Sequence, residues 1–432
     1  MKLVALLLAS LVAVPVAAQD PPALRHDADT RVDAVLPKVV SWRRDLHQHP
    51  ELGNREFRTS KKIAEHLRGL GLEVTTGVAH TGVVAVLRGG KPGRVVALRA
   101  DMDALPVTEE VDLPFKSTAK AEFGGQEVGV MHACGHDNHM AILMGTAEVL
   151  SALRARLPGS VKFIFQPAEE GPPPGEEGGA ALMVKEGVLE NPKVDAVFGL
   201  HVFPFEAGTL AWRPGGIMAA SDVLSISVKG RQTHGALPWA GVDPIVVSSQ
   251  LLLALQTLVS RQADLTTAPA IVTIGTIAGG SRWNIIPDEV RMGGTIRTFD
   301  PAMQKDLHER VRRTAAHIAE SAGAAAEVVI TSATPVTYND PALTERMAAT
   351  LRRVGGANVQ PNAKATTTAE DFAFYQQKVP GMFFFLGVAP KGADPASVAP
   401  NHSPRFFADE AALRTGVRAM THVALDYLAG PF

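Results

Sequence analysis

Four short segments concentrate the residues able to hold a cation and move a proton. They are Asp101-Met102-Asp103, the run His132-Ala133-Cys134-Gly135-His136-Asp137-Asn138-His139, the pair Glu169-Glu170, and His201. Thiolate sulfur and imidazole nitrogen suit zinc and its first-row neighbours, so Cys134 and His136, with His132 and His139 close by, read as a metal-ligating run. The Cys-x-His spacing is unspecific, and a single histidine is most often a hydrogen-bonded structural residue. A nucleophilic Cys134 served by a histidine base is the rival chemistry. The acids favour metal, because carboxylates are natural ligands and poor neighbours for an activated thiolate. Glu169 and Glu170 are costly to bury unpaired. Beside cations, one could ligate while the other takes a proton from water and later returns it to a leaving amine. Seen alone, the pair also fits a solvated turn opening the Gly/Pro-rich stretch 171–175. Asp101 and Asp103 alternate onto one face at a strand end, placed to ligate or to orient a ligating histidine. A calcium site is the hard-ion alternative, which sulfur and imidazole ligands disfavour.

These segments need elements that bring them together. The first, third and fourth each begin where an apolar strand stops: VVALRA before Asp101, VKFIFQ before Glu169, AVFGL before His201. Helical periodicity over 33–49 (Val35, Val39, Trp42, Leu46) and 56–70 (Ile63, Ala64, Leu67, Leu70) precedes strands at 82–88 and 94–100. A helix from 138 to 154, strand 161–166, a helix around 178–187 and strand 195–201 follow. This alternation predicts a mixed or parallel sheet with helices on its faces, and ligands gathered at the strand C-terminal ends. Near 221 the pattern changes to β-α-β-β-α-β: strand 222–229, helix 243–261, strands 271–277 and 289–298, helix 302–320 and strand 325–331. That order is the ferredoxin-like split unit. The fold class expected is α/β, with a discontinuous catalytic domain (30–220 and 332–430) interrupted by an inserted domain at 221–331.

Composition excludes some classes. The 432 residues are 46% hydrophobic and 20% charged, with a formal net charge of -2, which is globular and gives no basic surface for nucleic acid. Lys2, the apolar run Leu3–Val16 and the small residues Ala17-Ala18 read as a signal peptide spanning 1–18. The expected location is across the inner membrane, in the periplasm or outside the cell. The apolar run is shorter than the roughly 20 residues of a membrane span, and no later segment reads as one. Cys134 is the one cysteine, so no internal disulfide can form.

The motifs DMDALP (101–106), MHACGHDNH (131–139), QPAEEG (166–171), GLH (199–201), GRQTHGALP (230–238), NIIP (284–287), GTIRTF (294–299) and NHSPRF (401–406) resemble the M20 metallopeptidase family. The likeness is to its amidohydrolase branch of hippurate, auxin-conjugate and N-acyl-amino-acid hydrolases, and it runs over nearly the whole mature chain. The resemblance implies a di-metal catalytic domain with an inserted lid or dimerisation domain, and a homodimer formed through that insert. It implies Cys134 as bridging ligand, His136 and His201 on one ion, and Glu170 and His402 on its neighbour. It further implies Glu169 as general base and acid, Asp103 as a catalytic residue matching a conserved Asp of the wider family, and His234 as oxyanion partner, from either subunit. Asn284 and Arg297 are implied for substrate binding. In the wider family a metal-binding histidine stands where this chain has Asp101, which leaves the exact roles of Asp101 and Asp103 open. The implied cofactors are two divalent ions, zinc foremost, with manganese, cobalt and nickel also accommodated. The implied reaction is hydrolysis of an N-acyl amino acid, with a carboxypeptidase or dipeptidase reaction on short peptides as the alternative.

Overall fold

Strands that are apolar on both faces need cover on both sides, and the chain supplies it. The computed structural model describes residues 21–394 and 397–430; the predicted signal peptide 1–18 lies outside the described residues. Strand Gly381–Ala389 is buried along its whole length, and strand Pro158–Gln166 nearly so. They belong to an eight-stranded sheet ordered Glu73–Val78, Gly82–Arg88, Pro158–Gln166, Lys91–Asp101, Ala196–Glu206, Gly381–Ala389, Leu210–Trp212, Val359–Pro361. The four central strands run parallel, with antiparallel pairs toward both edges. One face is covered by helices Pro21–Gln48, His136–Ala152 and Ala411–Ala429, which pack on one another and on the sheet. Leu182, Met183, Phe372 and Tyr375 pack on the other face. This is the discontinuous α/β architecture that the alternation predicts.

Helix His136–Ala152 is buried on almost every side, so its first residues sit deep in the molecule. Its N-cap, Gly135, has φ 90°, and a Cβ there would meet Val202 Cγ2 at 2.3 Å. Only glycine lets the Cys134 loop lie this close to strand Ala196–Glu206.

The inserted unit is a four-stranded antiparallel sheet ordered Ala270–Gly279, Glu289–Thr298, Ala220–Lys229, Ala325–Thr334. Helices Pro244–Thr257 and Pro301–Ser321 fill one face with Val247, Leu251, Leu255, Leu307, Val311 and Ala315. Asp243 and Asp300 cap these helices by accepting backbone N–H bonds, each followed by a proline whose missing N–H costs nothing there. A two-residue ladder pairs Thr233–His234 with Ile285–Ile286.

Three elements differ from the sequence expectation. The first helix begins at Pro21 rather than near 33, because Leu24, Ala28 and Val32 continue its buried stripe. Its internal Pro37 is exposed. Strand 195–201 does not stop at His201; it runs on to Glu206. Pro204 falls where the register with Gly381–Ala389 shifts, and the other neighbour pairs only as far as Gly199, so no ladder bond is lost at the proline. Finally, Pro244–Gln262 has the length and mean hydropathy (1.2) of a membrane span, which the sequence reading did not find. Its inner side belongs to the inserted core, while Ile245, Val246 and Leu253 face outward.

Candidate metal centre

The five ligand candidates come from four separate stretches of backbone, Cys134 and His136 sharing one. Glu169 and Glu170 follow Ala168, a non-glycine residue held at φ 51°. That conformation is unfavourable for an L-residue, and its N–H is fixed by Glu56 Oε1 at 2.9 Å. Burial pushes the Glu56 carboxyl up to about 8, with the Asp103 charge adding to it. His402 is another such residue, at φ 70°, anchored by its N–H to the Ala133 carbonyl at 2.9 Å. Both sharp turns aim functional side chains inward from loops.

The side chains converge as two overlapping triads. Cys134, His136 and His201 place ligand atoms within 4.8 Å of one another, and so do Cys134, Glu170 and His402. Cys134 belongs to both. Its Sγ lies 3.4 Å from His201 Nε2, and His402 Nε2 lies 3.0 Å from Glu170 Oε1. Hydrogen bonds present the ligating nitrogens. His136 Nδ1 donates to the Asp103 carbonyl at 2.8 Å, and His201 Nδ1 to the Val202 carbonyl at 2.7 Å. A carbonyl can only accept, so each Nδ1 carries a proton and each Nε2 turns to the centre. His136 Nε2 is buried without a hydrogen-bond partner, as an atom waiting for a cation would be. The donor set of sulfur, imidazole and carboxylate suits zinc, manganese, cobalt or nickel.

Electrostatics point the same way. Burial opposes charge on His136, yet Asp101 and Asp103 outweigh it and push the imidazole up to about 10. Burial and the neighbouring Glu170 and Glu169 push the Cys134 thiol up, and burial, Glu370, Glu170 and Asp371 push up Glu169. The cluster holds more negative groups than it has positive partners, and cations would reverse these shifts.

Asp101 is not free to ligate. Its Oδ1 takes His139 Nδ1 and its Oδ2 takes Arg99 Nη1, both at 2.6 Å. Asp103 stands behind the ligands: Oδ2 accepts the Glu170 N–H at 2.9 Å, and Oδ1 lies 3.3 Å from His136 Nδ1. It orients two ligand-bearing elements rather than facing the cavity. Sequence reasoning missed the wall behind Glu169. Arg99, fully buried, binds Asp101, Glu370 and Asp371 as well as Gln166, and Glu370 and Asp371 cluster with Glu169. An acid pair leading the apolar segment Phe372–Phe374 was the available signal.

A cavity of about 440 Å³ opens onto the centre, lined by Cys134, Glu169, Glu170, His201 and His402 and, from the inserted sheet, by Ser221, Arg297 and Thr334. Phe203, Met218 and Thr368, which the motifs do not single out, also line it, with Ala369, Glu370, Asp371 and Asn401. Arg297 has no side-chain partner among the described residues. His234 and Asn284 do not line this cavity; they sit together at the small ladder, where Gly235 N–H donates to the Asn284 carbonyl at 2.8 Å. His234 Nδ1 accepts the Ala236 N–H at 3.0 Å, which leaves the proton on the exposed Nε2.

Comparisons with known proteins fit this geometry. The profile of peptidase family M20/M25/M40 matches residues 97–426. The chain is 41% identical to thermostable carboxypeptidase 1 of Saccharolobus solfataricus, over 90% of this chain and 95% of that one. It is 37% identical to the N-acetylcysteine deacetylase of Bacillus subtilis, over 90% and 97%. Among solved structures, a dinuclear metal-binding M20 peptidase from Bacillus subtilis superposes with a TM-score of 0.77 at 36% identity, covering 92% of this chain and 99% of that one.

Proposed function

The chain belongs to the M20/M25/M40 peptidase family and is a metal-dependent amide hydrolase, and from that premise we propose that it releases the C-terminal amino acid of short peptides and of N-acyl amino acids. The carboxypeptidase relative favours the peptide reaction over the hippurate-like one expected from sequence; the deacetylase relative supports N-acyl amino acids as further substrates. The observation that carries the reading is Arg297, an unpaired cation on the wall of a cavity otherwise rich in acids. A guanidinium there holds the free α-carboxylate of the substrate, in two-point contact, and sets the scissile amide over the centre.

Two divalent cations in the cluster, zinc foremost, would acidify a water and polarise the scissile carbonyl. Glu169, whose carboxyl is held high by burial and by Glu370, accepts the proton of the attacking water and returns it to the leaving nitrogen. His234 donates from Nε2 to the carbonyl oxygen as negative charge builds there. Because His234 lies outside its own chain's cavity, it serves the site of a second copy. The outward apolar residues Ile245, Val246 and Leu253 support a homodimer through the inserted domain. The N-terminal segment supports export to the periplasm.

A product assay over dipeptides, acetyl- and benzoyl-amino acids and their C-terminal amides tests the reading. Turnover of the free acids, with the amides poor, is expected; equal turnover of the amides overturns it. Arg297→Met is expected to raise KM for the acids by about 10–100-fold, the loss of a charged hydrogen-bonded contact of roughly 1.5–3 kcal/mol, with kcat changing less. The amides should be unaffected. Steady-state kinetics on both substrate sets checks this.

His234→Ala should lower kcat about 10²–10³-fold. Co-expressed with Glu169→Gln chains, it should regain about a quarter of wild-type activity, since half the dimers pair unlike chains and each of these has one complete site. No recovery on co-expression would place His234 in its own chain's site.

A further inference from the structure

His139 is the remaining histidine packed against the ligands, with ring centroids 5.4 Å from His136 and 4.7 Å from His201, yet both its nitrogens are committed. Strand Lys91–Asp101 pairs with strand Ala196–Glu206 only as far as Arg99 opposite Gly199. Beyond that point the Val202 N–H loses its ladder partner and donates instead to His139 Nε2 at 2.8 Å. A backbone N–H can only donate, so the His139 proton is on Nδ1, where it meets Asp101 Oδ1. At the carbonyl of the same residue, Asn401 Nδ2 donates to Val202 O at 3.2 Å and to the Cys134 carbonyl at 3.0 Å. That Val202 carbonyl is also the acceptor that fixes the His201 ring, and Asn401 directly precedes His402.

We propose that His139 and Asn401 are positioning residues that hold Val202 at its N–H and at its carbonyl and so fix how Cys134 and His201 face one another. His139 is thereby removed from the ligand set, although its residue type and place in the run suit it for one. Asn401 uses both amide hydrogens to tie the backbones of two ligand segments, and its own backbone leads into a third. The inference rests on Cys134 and His201 being ligands, and its test keeps the two questions apart.

Cobalt(II) added to the metal-free mature chain is the probe, since Cys134 thiolate on cobalt gives a near-ultraviolet charge-transfer band. Asn401→Asp keeps the shape but removes both donors. It is expected to weaken cobalt affinity about 10–100-fold, as the loss of such supporting hydrogen bonds does, to shift or weaken the thiolate band, and to lower kcat with KM little changed. His139→Phe should do the same by freeing the Val202 N–H. Asn401→Ser, with one donor left, should fall between wild type and Asn401→Asp, and it carries the test if Asn401→Asp does not fold. Wild-type affinity and an unchanged band in Asn401→Asp, or in Asn401→Ser in its place, together with His139→Phe would overturn the positioning role while leaving the ligands standing. A wild-type spectrum with no thiolate band, matching that of Cys134→Ala, would overturn the ligand reading itself.

Discussion

Glu169→Gln is expected to lower kcat by about 10²–10⁴-fold, the range of a general acid–base group, or roughly 3–5 kcal/mol of barrier at 1.36 kcal/mol per tenfold. The amide has the size of the carboxyl but cannot take a proton from water at neutral pH. KM should change little, because Arg297, the proposed contact to the substrate carboxylate, is untouched. Neither triad that contains Cys134 includes Glu169, although Glu169 also groups with His136 and Glu170, and metal content should remain. The fold should also remain. Glu169 is crowded by Glu370, Glu170 and Asp371 in a buried wall, facing Arg99 and the His136 ring, whose Nε2 is 3.8 Å away, and removing one carboxylate relieves like-charge repulsion. The metal-free variant should therefore melt no lower than metal-free wild type. Kinetics, elemental analysis and a thermal melt on one preparation check all three points. Full turnover by a variant holding two ions would move the base elsewhere; Glu170 is a poor substitute, being engaged by His402 at 3.0 Å.

How much of this could be read beforehand depended on whether a residue's partners are local. Alternating and helical periodicity delivered the sheet, its helices and the inserted β-α-β-β-α-β unit, because burial of one face is written into neighbouring positions. The triad of Cys134, His136 and His201 was within reach because strand ends and a helix start mark where polar groups gather. His402 was not: it sits in a half-left-handed turn, its side chain 55% exposed, and only family resemblance singled it out. The wall behind Glu169 was illegible for a different reason. Arg99 and Glu370 are 271 positions apart, and nothing in the spacing of either announces the other. His139 looked like a ligand by type, and only its two hydrogen bonds reveal otherwise. Strand Ala196–Glu206 runs past His201 and through Pro204, and the register shift that tolerates the proline exists only once the partner strand is in place.

Removing metal is expected to have the largest effect of all: activity should fall to background and return on adding back a divalent ion. The physical reason is the charge balance of the centre. Without cations, protons take their place on His136, which Asp101 and Asp103 push up to about 10 against the cost of burial. A group raised in the folded state contributes stability that is complete below its unfolded pKa near 6.5 and is lost as pH rises toward 10. Metal binding runs the opposite way, since it must displace those protons and so strengthens with pH. The difference in melting temperature between metal-loaded and metal-free protein should therefore widen from pH 6 to pH 8. At a free metal concentration 100 times Kd, the added stability is about 2.7 kcal/mol. Melts at both pH values, with and without chelator, read this directly. A gap that stayed constant would mean His136 takes no part in binding. Activity that survived complete metal removal would reinstate the rival chemistry, with Cys134 as nucleophile, yet the Cys134 thiol is pushed up by burial and by Glu170 and is poorly placed to ionise without a cation beside it.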